Sequence, residues 1–414
     1  MFDRWYARPF QEKLTRPYVH LLFGARQTGK STLVRSLLPP DTLVIDLSNP
    51  QERSRYLANP GDFIKECRGL PSNKKGSFVF VDEAQSAPSL FDAVQHLYDS
   101  DKTRWRFVLC GSSARKLRRI GANLLPGRSF LHRLYPLTLT EHPSDEEKIS
   151  HALSPLPFPW PKRSGPSHPF PRWDLVTRLT YGELPGIVAA GEEDRAELLK
   201  AYTFMHLEEE IRREALVKDW GAFVRFLQLA AAESGQILNF SGIAQETGVA
   251  QLTVKAYYQL LEDMFVGFRV SAYTKSPRKN LLSTPKFFFF DLGVRHAAAG
   301  LSTSPDIVKV DPGIFFEQWV GIELWKRLQY LNQGTLFHQR TKDGAEVDFI
   351  VEKEKELIPI EVRWTENPTF HDARHLLTFL KENSKQATHG FIICRCPRPM
   401  QLHEKITAFP WFNL

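Results

Sequence analysis

The sequence predicts an α/β fold: a parallel sheet of the P-loop NTPase type, then a helical segment, a winged helix-turn-helix and a second α/β domain at the C-terminus. Three observations lead there. Gly24, Gly29, Lys30 and Ser31 fill the G-x-x-x-x-G-K-[ST] spacing directly after an apolar run from Tyr18 to Phe23. Short apolar runs alternate with helix-period segments through the N-terminal third. One of those runs ends in the acidic pair Asp82 and Glu83.

Residues 24–32, Gly24, Ala25, Arg26, Gln27, Thr28, Gly29, Lys30, Ser31 and Thr32, read as a loop that wraps phosphate. The glycines let backbone N–H groups turn inward, and the helix that begins here points its positive dipole end at the same anion. In that setting Lys30 reaches the β/γ-phosphates of ATP and the Ser31 hydroxyl meets Mg²⁺. Further strands are expected at 43–47, 78–81, 106–110 and 130–134, with a helix at 90–97. Strands and helices in alternation build a parallel sheet that binds its ligand at the carboxyl ends of the strands. An aspartate at such a strand end holds Mg²⁺, which assigns Asp82 to the metal. The adjacent Glu83 is placed to direct and deprotonate the attacking water, so the pair implies hydrolysis rather than binding alone. The next strand runs into Gly111, Ser112 and Ser113, which brings a hydroxyl near the γ-phosphate.

Together the 24–32 loop, the Val81–Gln85 acid strand and the Cys110–Ser113 turn resemble the AAA+-type ATPase core of a bacterial and archaeal family. Members of that family carry a C-terminal winged helix and a nuclease-like domain of undefined function. The resemblance makes Ser112 or Ser113 the sensor 1 residue, and it matches Arg128 to the family's arginine before a strand. Such a guanidinium neutralises transition-state charge, often in a neighbour's site, which implies a homo-oligomeric ring. Capping of a helix C-terminus is the alternative role for Arg128. The acid-free run Arg115, Lys116, Arg118, Arg119, Arg128, Arg133 suits either DNA phosphates or a solvated basic helix.

Composition sets the outer limits. A hydrophobic share of 42% with 24% charged residues describes an ordinary globular chain. No apolar stretch reaches the ~18 residues of a membrane span, and no apolar core follows the charged start as in a signal peptide. Cys67, Cys110, Cys394 and Cys396 show neither disulfide-framework nor zinc spacing, which points to a reducing cytoplasm. A net charge of +7 permits a polyanionic partner without requiring one.

The expected domains are an ATPase core at 1–142, a linker or surface excursion at 143–172, a helical lid at 173–235, a winged helix-turn-helix at 236–300 and a C-terminal domain at 301–414. Eight prolines between 143 and 171 mark the excursion, because proline removes donors and blocks helix. Within the lid, Gly182-Glu183-Leu184-Pro185-Gly186 resembles a short family motif without a derivable role, and Glu208 to Arg213 reads as a charged helix face. A short helix expected over 240–249 closes on a glycine turn, a second follows at 251–261, and strands at 265–270 and 286–290 form the wing. Lys255 on the second helix and Lys275, Arg278, Lys279 and Lys286 around the wing are the candidate, nonspecific DNA contacts; protein binding by the same module is the other option.

In the C-terminal third, Glu317 lies on a helix while Asp348 and Glu361 lie on neighbouring strands. Three such carboxylates suit a hard divalent cation, a second metal site. The pattern resembles the PD-(D/E)XK nuclease core, but Arg363 stands where the lysine is expected. Arginine stays protonated and forks toward phosphate, so it binds charge without helping to deprotonate water. Lys342 is a nearby lysine able to replace it. Three functions follow: Mg²⁺-dependent ATP hydrolysis coupled to work on DNA or a DNA-bound partner, an ATP-switched regulatory or defence protein, or an ATP-gated metal-dependent nuclease.

Overall fold

The computed structural model describes residues 4–71, 76–112, 125–146, 154–158, 170–207, 211, 217, 219–276, 278, 283–340 and 346–414. The chain separates into two compact units, one of residues 3–135 with 260–266, the other of residues 136–259 and 267–414 with the first two residues. Among the described residues, no helix is long and apolar enough to cross a membrane. All four cysteines are buried thiols.

The first unit is a five-stranded parallel sheet. Its strands are β1 (Val19–Phe23), β2 (Leu43–Asp46), β3 (Ser77–Asp82), β4 (Trp105–Gly111) and β5 (Ser129–Arg133), in the order β2-β3-β4-β1-β5. Residues of β1 are buried along its whole length, as expected for a strand covered on both faces. Strand β2 lies at the edge and leaves Val44 exposed. Helices α1 (Ala7–Leu14), α2 (Lys30–Leu37), α3 (Pro50–Ala58), α4 (Gly61–Gly69) and α5 (Leu90–Ser100) flank the sheet sequence. Phe63, Val79, Val81, Leu97 and Phe107 share one core with β1. Helix α1 is fixed through Tyr6, whose hydroxyl lies 2.7 Å from Nδ1 of His132 on β5, and through Phe10, whose ring meets His132 edge-on. Burial pushes His132 down to about 2 and His20 to about 4, so this pair is uncharged at neutral pH.

The second unit begins with helices α6 (Leu175–Tyr181), α7 (Glu192–Ala201), α8 (Trp220–Ala232), α9 (Phe240–Thr247) and the larger part of α10 (Gln251–Asp263), whose last four residues fall in the first unit. Gly248 adopts φ 74°, the left-handed conformation that lets the chain turn between α9 and α10. Strands β6 (Gly267–Ala272), β7 (Lys286–Phe289), β8 (Thr335–Arg340), β9 (Glu346–Lys353), β10 (Glu356–Val362), β11 (Gly390–Cys394), β12 (Met400–His403) and β13 (Ile406–Pro410) form one eight-stranded sheet, ordered β12-β13-β11-β10-β9-β8-β6-β7. Helices α11 (Leu292–Ala298), α12 (Pro312–Leu331) and α13 (Arg374–Glu382) complete the unit.

Three expectations change here. The β6–β7 hairpin is not a free wing: Ser271 and Ala272 pair in parallel with Phe337 and His338 of β8, so the hairpin ends the C-terminal sheet. Aromatic packing explains it, since Phe268 stacks on Trp325 at 4.0 Å and Phe288 lies against Phe349. The proline-rich segment is not wholly a solvated excursion, because Leu156 and Phe158 join the core of Leu139, Leu175 and Phe316, and Phe170 is buried too. Residues 147–153 and 159–169 of it lie outside the described residues. Helix α6 packs into that same core, so the segment expected as a nucleotide lid belongs to the second unit.

The Gly182–Gly186 motif now has a role. Gly182 turns with φ 72°, and any Cβ there would lie 2.1 Å from the Asp291 carboxylate, which accepts the Glu183 N–H at 2.6 Å. The buried Glu183 carboxylate takes a hydrogen bond from Arg178 at 2.7 Å and one from His142. Arg178 also donates to the carbonyls of His142 and Pro143. Burial alone would raise the Glu183 carboxyl, but Arg178 and His142 outweigh it and hold it down to about 2. A carboxyl held low in the native state stabilises fully above its unfolded value of about 4.3, and that contribution is lost as pH falls toward about 2. Glu183→Gln should therefore cost roughly 3–5 kcal/mol at pH 7, since it leaves the Arg178 charge buried. Urea titrations from pH 7 to pH 3 should show a shallower acid loss for the variant; equal slopes would reject this account.

Candidate nucleotide site

The site is built on the junction of β1 and α2. Gly24 closes the strand where a Cβ would sit 2.2 Å from the Leu134 carbonyl oxygen, so only glycine permits this approach. Gln27 at φ 59° and Gly29 at φ 87° turn the loop through left-handed backbone. The Thr28 hydroxyl donates to the Ala25 carbonyl at 2.9 Å and closes the turn. Lys30, buried at the first position of α2, directs its ammonium into the loop and donates to the Gly24 and Ala25 carbonyls at 2.9 and 2.8 Å. Arg26 is half-buried, while Gln27 and Thr32 are exposed.

Asp82 stands at the carboxyl end of β3 and is 7% exposed. Its burial raises the carboxyl, opposed by a hydrogen bond with Ser31, and the neighbouring Glu83 and Asp46 raise it further. Ser31 and Asp82, the two groups expected to hold Mg²⁺, are thus already in contact, and a buried carboxylate beside two others is one that a divalent cation stabilises. These residues fit the ion. Glu83 follows at φ 53°, with its N–H donating to Asp82 Oδ1 at 3.1 Å. Its carboxylate accepts from the Gln85 amide, which also donates to the buried Ser112 hydroxyl at 3.1 Å. Ser113, and with it Arg115, Lys116, Arg118 and Arg119, lies outside the described residues.

Residues that sequence reasoning missed surround this group. Arg4 donates to the Thr28 carbonyl at 2.6 Å and to that of Tyr135 at 2.7 Å, bracing the loop from the N-terminal segment. Arg35 lies 3.9 Å from Asp82 and 3.6 Å from Asp46, which pairs in register with Asp82 across β2 and β3. Position marks both: Asp46 ends an adjacent parallel strand, and Arg35 follows Ser31 by one helical turn.

Arg128 is elsewhere. It precedes β5 at the amino edge, where Val19 pairs with Ser129, whereas the loop follows Phe23, which pairs with Arg133. Four residues of strand separate these edges, about 13 Å at ~3.3 Å per residue. Arg128 instead binds Asp99 at 2.7 Å. It therefore takes no part in its own chain's loop.

In the second unit Lys255, Lys275 and Arg278 are exposed. The Lys255 ammonium lies over the Phe240 ring, and Lys275 donates to the Glu382 carbonyl at 3.2 Å. Lys279, Lys342 and the 208–210 and 212–216 charges are outside the described residues. Lys286 departs from its expected role: its ammonium is buried and bonds Glu317 and Glu346, each at 3.0 Å. It is not available to DNA phosphate.

Lys286 reaches a cluster in which Glu317, Asp348 and Glu361 do converge. Burial and the Asp348 charge raise the carboxyls of both Glu317 and Glu361. Arg363 fills the middle. Its guanidinium contacts Asp348 Oδ2 at 3.3 Å and the Val362 carbonyl at 2.9 Å, and forms an ion pair with Glu361 at 2.7 Å without hydrogen-bond alignment. Among the described residues, no three His, Cys, Asp or Glu side chains stand where they could hold a metal ion. The second metal expected here is thus not supported.

Three family models match successive parts of the chain: an AAA domain at residues 16–142, a domain of unknown function (DUF8612) at 172–305 and another (DUF4143) at 312–414. An uncharacterized protein of Mycobacterium tuberculosis is 26% identical over 364 residues, 88% of this chain and 74% of that protein. One from Haemophilus influenzae is 24% identical over 384 residues, 89% of this chain and 88% of that protein. Among solved structures, C. elegans PCH-2 is similar over 34% of this chain and 42% of that one, with 15% identity and a TM-score of 0.24, too slight to carry an argument. Residues 16–142 thus match the AAA domain family over the stretch that forms the five-stranded parallel sheet and its phosphate-loop-type turn, and both support a P-loop AAA-type domain there.

Proposed function

We propose that this chain is a Mg²⁺-dependent ATPase. The observation that carries the reading is the convergence of Lys30, Ser31, Asp82, Glu83 and Ser112 at the carboxyl edge of one parallel sheet. Lys30 moves its ammonium from the loop carbonyls to the terminal phosphates, and loop N–H groups share their charge. Ser31 and Asp82 would hold Mg²⁺, which when bound would supply positive charge against the terminal phosphates. Glu83 orients a water at the γ-phosphorus and accepts its proton while the bond to the bridging oxygen breaks. Ser112 donates to a γ-phosphate oxygen. Arg128, far from its own loop, would serve only a neighbouring subunit of a homo-oligomer.

For the coupled output, two observations favour an ATP-switched module that binds a partner over an engine that acts on DNA. Lys286 turns inward, and the β6–β7 hairpin is sheet rather than a free basic wing. Exposed Lys255, Lys275 and Arg278 are what remains to support a DNA contact. Arg363 in the middle of the carboxylates speaks against a nuclease.

Glu83→Gln should keep ATP affinity while turnover falls roughly 10²- to 10³-fold, within the range of a lost general base; equilibrium binding beside a phosphate-release assay measures both, and near-normal turnover would reject the role. Adding duplex DNA to the same assay should leave the wild-type rate unchanged for a partner-binding switch. A salt-sensitive stimulation would restore the DNA reading. Arg363→Ala should lose about 3 kcal/mol, because it leaves Asp348 and Glu361 facing each other without their cation. Urea unfolding at pH 7 measures that loss, and a variant as stable as wild type would reject this role for Arg363.

A further inference from the structure

One buried polar side chain at the carboxyl edge has no part in the scheme above. Gln85 sits in the single 3-10 turn after Glu83, residues Ala84–Ser86, and is 6% exposed. Its amide nitrogen donates to Glu83 Oε2 at 2.5 Å and to Ser112 Oγ at 3.1 Å. Two N–H bonds of one nitrogen thus join the side chain assigned to water with the one assigned to the γ-phosphate. Charge fixes the orientation of the amide, because a carboxylate accepts and never donates, so the NH₂ edge must face Glu83. Ser112 Oγ accepts from that edge and keeps its own proton for another acceptor.

Two backbone features hold the arrangement. Gly111 lies under the amide, and a Cβ there would approach Gln85 Oε1 to 2.4 Å and the Phe23 ring to 3.2 Å. Strand β4 therefore ends on a glycine that leaves room for Gln85. Glu83 itself holds φ 53°, a conformation that costs a non-glycine residue of order 1 kcal/mol and collects at functional sites. In this conformation the Glu83 carboxylate accepts from the Gln85 amide.

We propose that Gln85 is a positioning residue that couples Ser112 to Glu83, so that one amide aligns the water-directing carboxylate when the serine engages the terminal phosphate. The inference rests on the ATPase reading. When Ser112 turns its proton to a γ-phosphate oxygen, its lone pair stays on the Gln85 N–H and draws the amide with it. The second N–H then carries the Glu83 oxygen into line. With a diphosphate no γ-oxygen takes the serine proton, and the carboxylate stays tied as it stands.

The test compares Gln85→Met, Gln85→Ala, Ser112→Ala and the Gln85→Met/Ser112→Ala double variant with wild type in ATP turnover and ATP binding. Methionine keeps the length and bulk of glutamine but has no N–H, so it separates the loss of hydrogen bonds from a cavity. Gln85→Met should lower kcat roughly 10- to 100-fold, a part of what a positioned general base contributes, with KM and ATP affinity changed less than about threefold. The double variant should fall no further than the worse single one, as for residues that act as a unit. A Gln85→Met enzyme within about twofold of wild-type kcat, or losses that multiply in the double variant, would overturn the coupling. Absence of turnover in wild type would instead overturn the ATPase reading, so the two failures are distinct.

Discussion

The approach of Gly24 to the Leu134 carbonyl is the constraint on which the N-terminal unit depends. It lets β5 close beside β1 at the point where the chain leaves the sheet, and it fixes where the loop can begin. From there the left-handed residues at 27 and 29 bring Lys30 back over the loop's own carbonyls. Arg4 braces the outer turn. A side chain at 24 would push the two strands apart and spread the carboxyl edge on which Asp82, Glu83 and Ser112 depend. One missing Cβ thus decides the geometry of groups contributed by two other strands.

Much of this was legible in the sequence because each signal is local. A glycine-lysine-serine turn between an apolar run and a helix period constrains about fifteen consecutive residues, and the acidic pair at the tip of β3 needs no long-range knowledge. What escaped notice is bonding between distant segments: Arg4 to Thr28, Gln85 to Ser112, Arg35 to Asp46. No periodicity records such pairs. Lys286 shows the opposite failure. Its basic neighbours suggested a phosphate contact, yet the four phenylalanines that follow it bury both faces of β7 and carry the lysine inside. A strand that is apolar at consecutive positions is an interior strand, and that pattern was available to read.

The second unit organises charge in its interior rather than excluding it. Glu183 with Arg178 and His142, Glu323 with Lys326 and Arg327, and Asp348 and Glu361 with Arg363 are three buried groupings, each with its own counter-ions. Helix α12 carries the second and contributes Glu317 to the third. Buried pairs of this kind add little net stability over apolar packing, but each is costly to break by half. They fix register between segments far apart in the chain, as when Glu323 receives the Leu139 N–H.

Sharing of β6 between its hairpin partner β7 and β8 has a consequence for dissecting the protein. Helices α9 and α10 feed a strand whose other side is hydrogen-bonded to residues some seventy positions later. Cleavage near residue 300 would strip β6 of that neighbour and bare the Phe268 ring that stacks on Trp325. An unpaired apolar strand edge recruits other chains. The strand that follows α10 thus takes one of its two neighbours, and the cover of its Phe268 ring, from the C-terminal third of the chain.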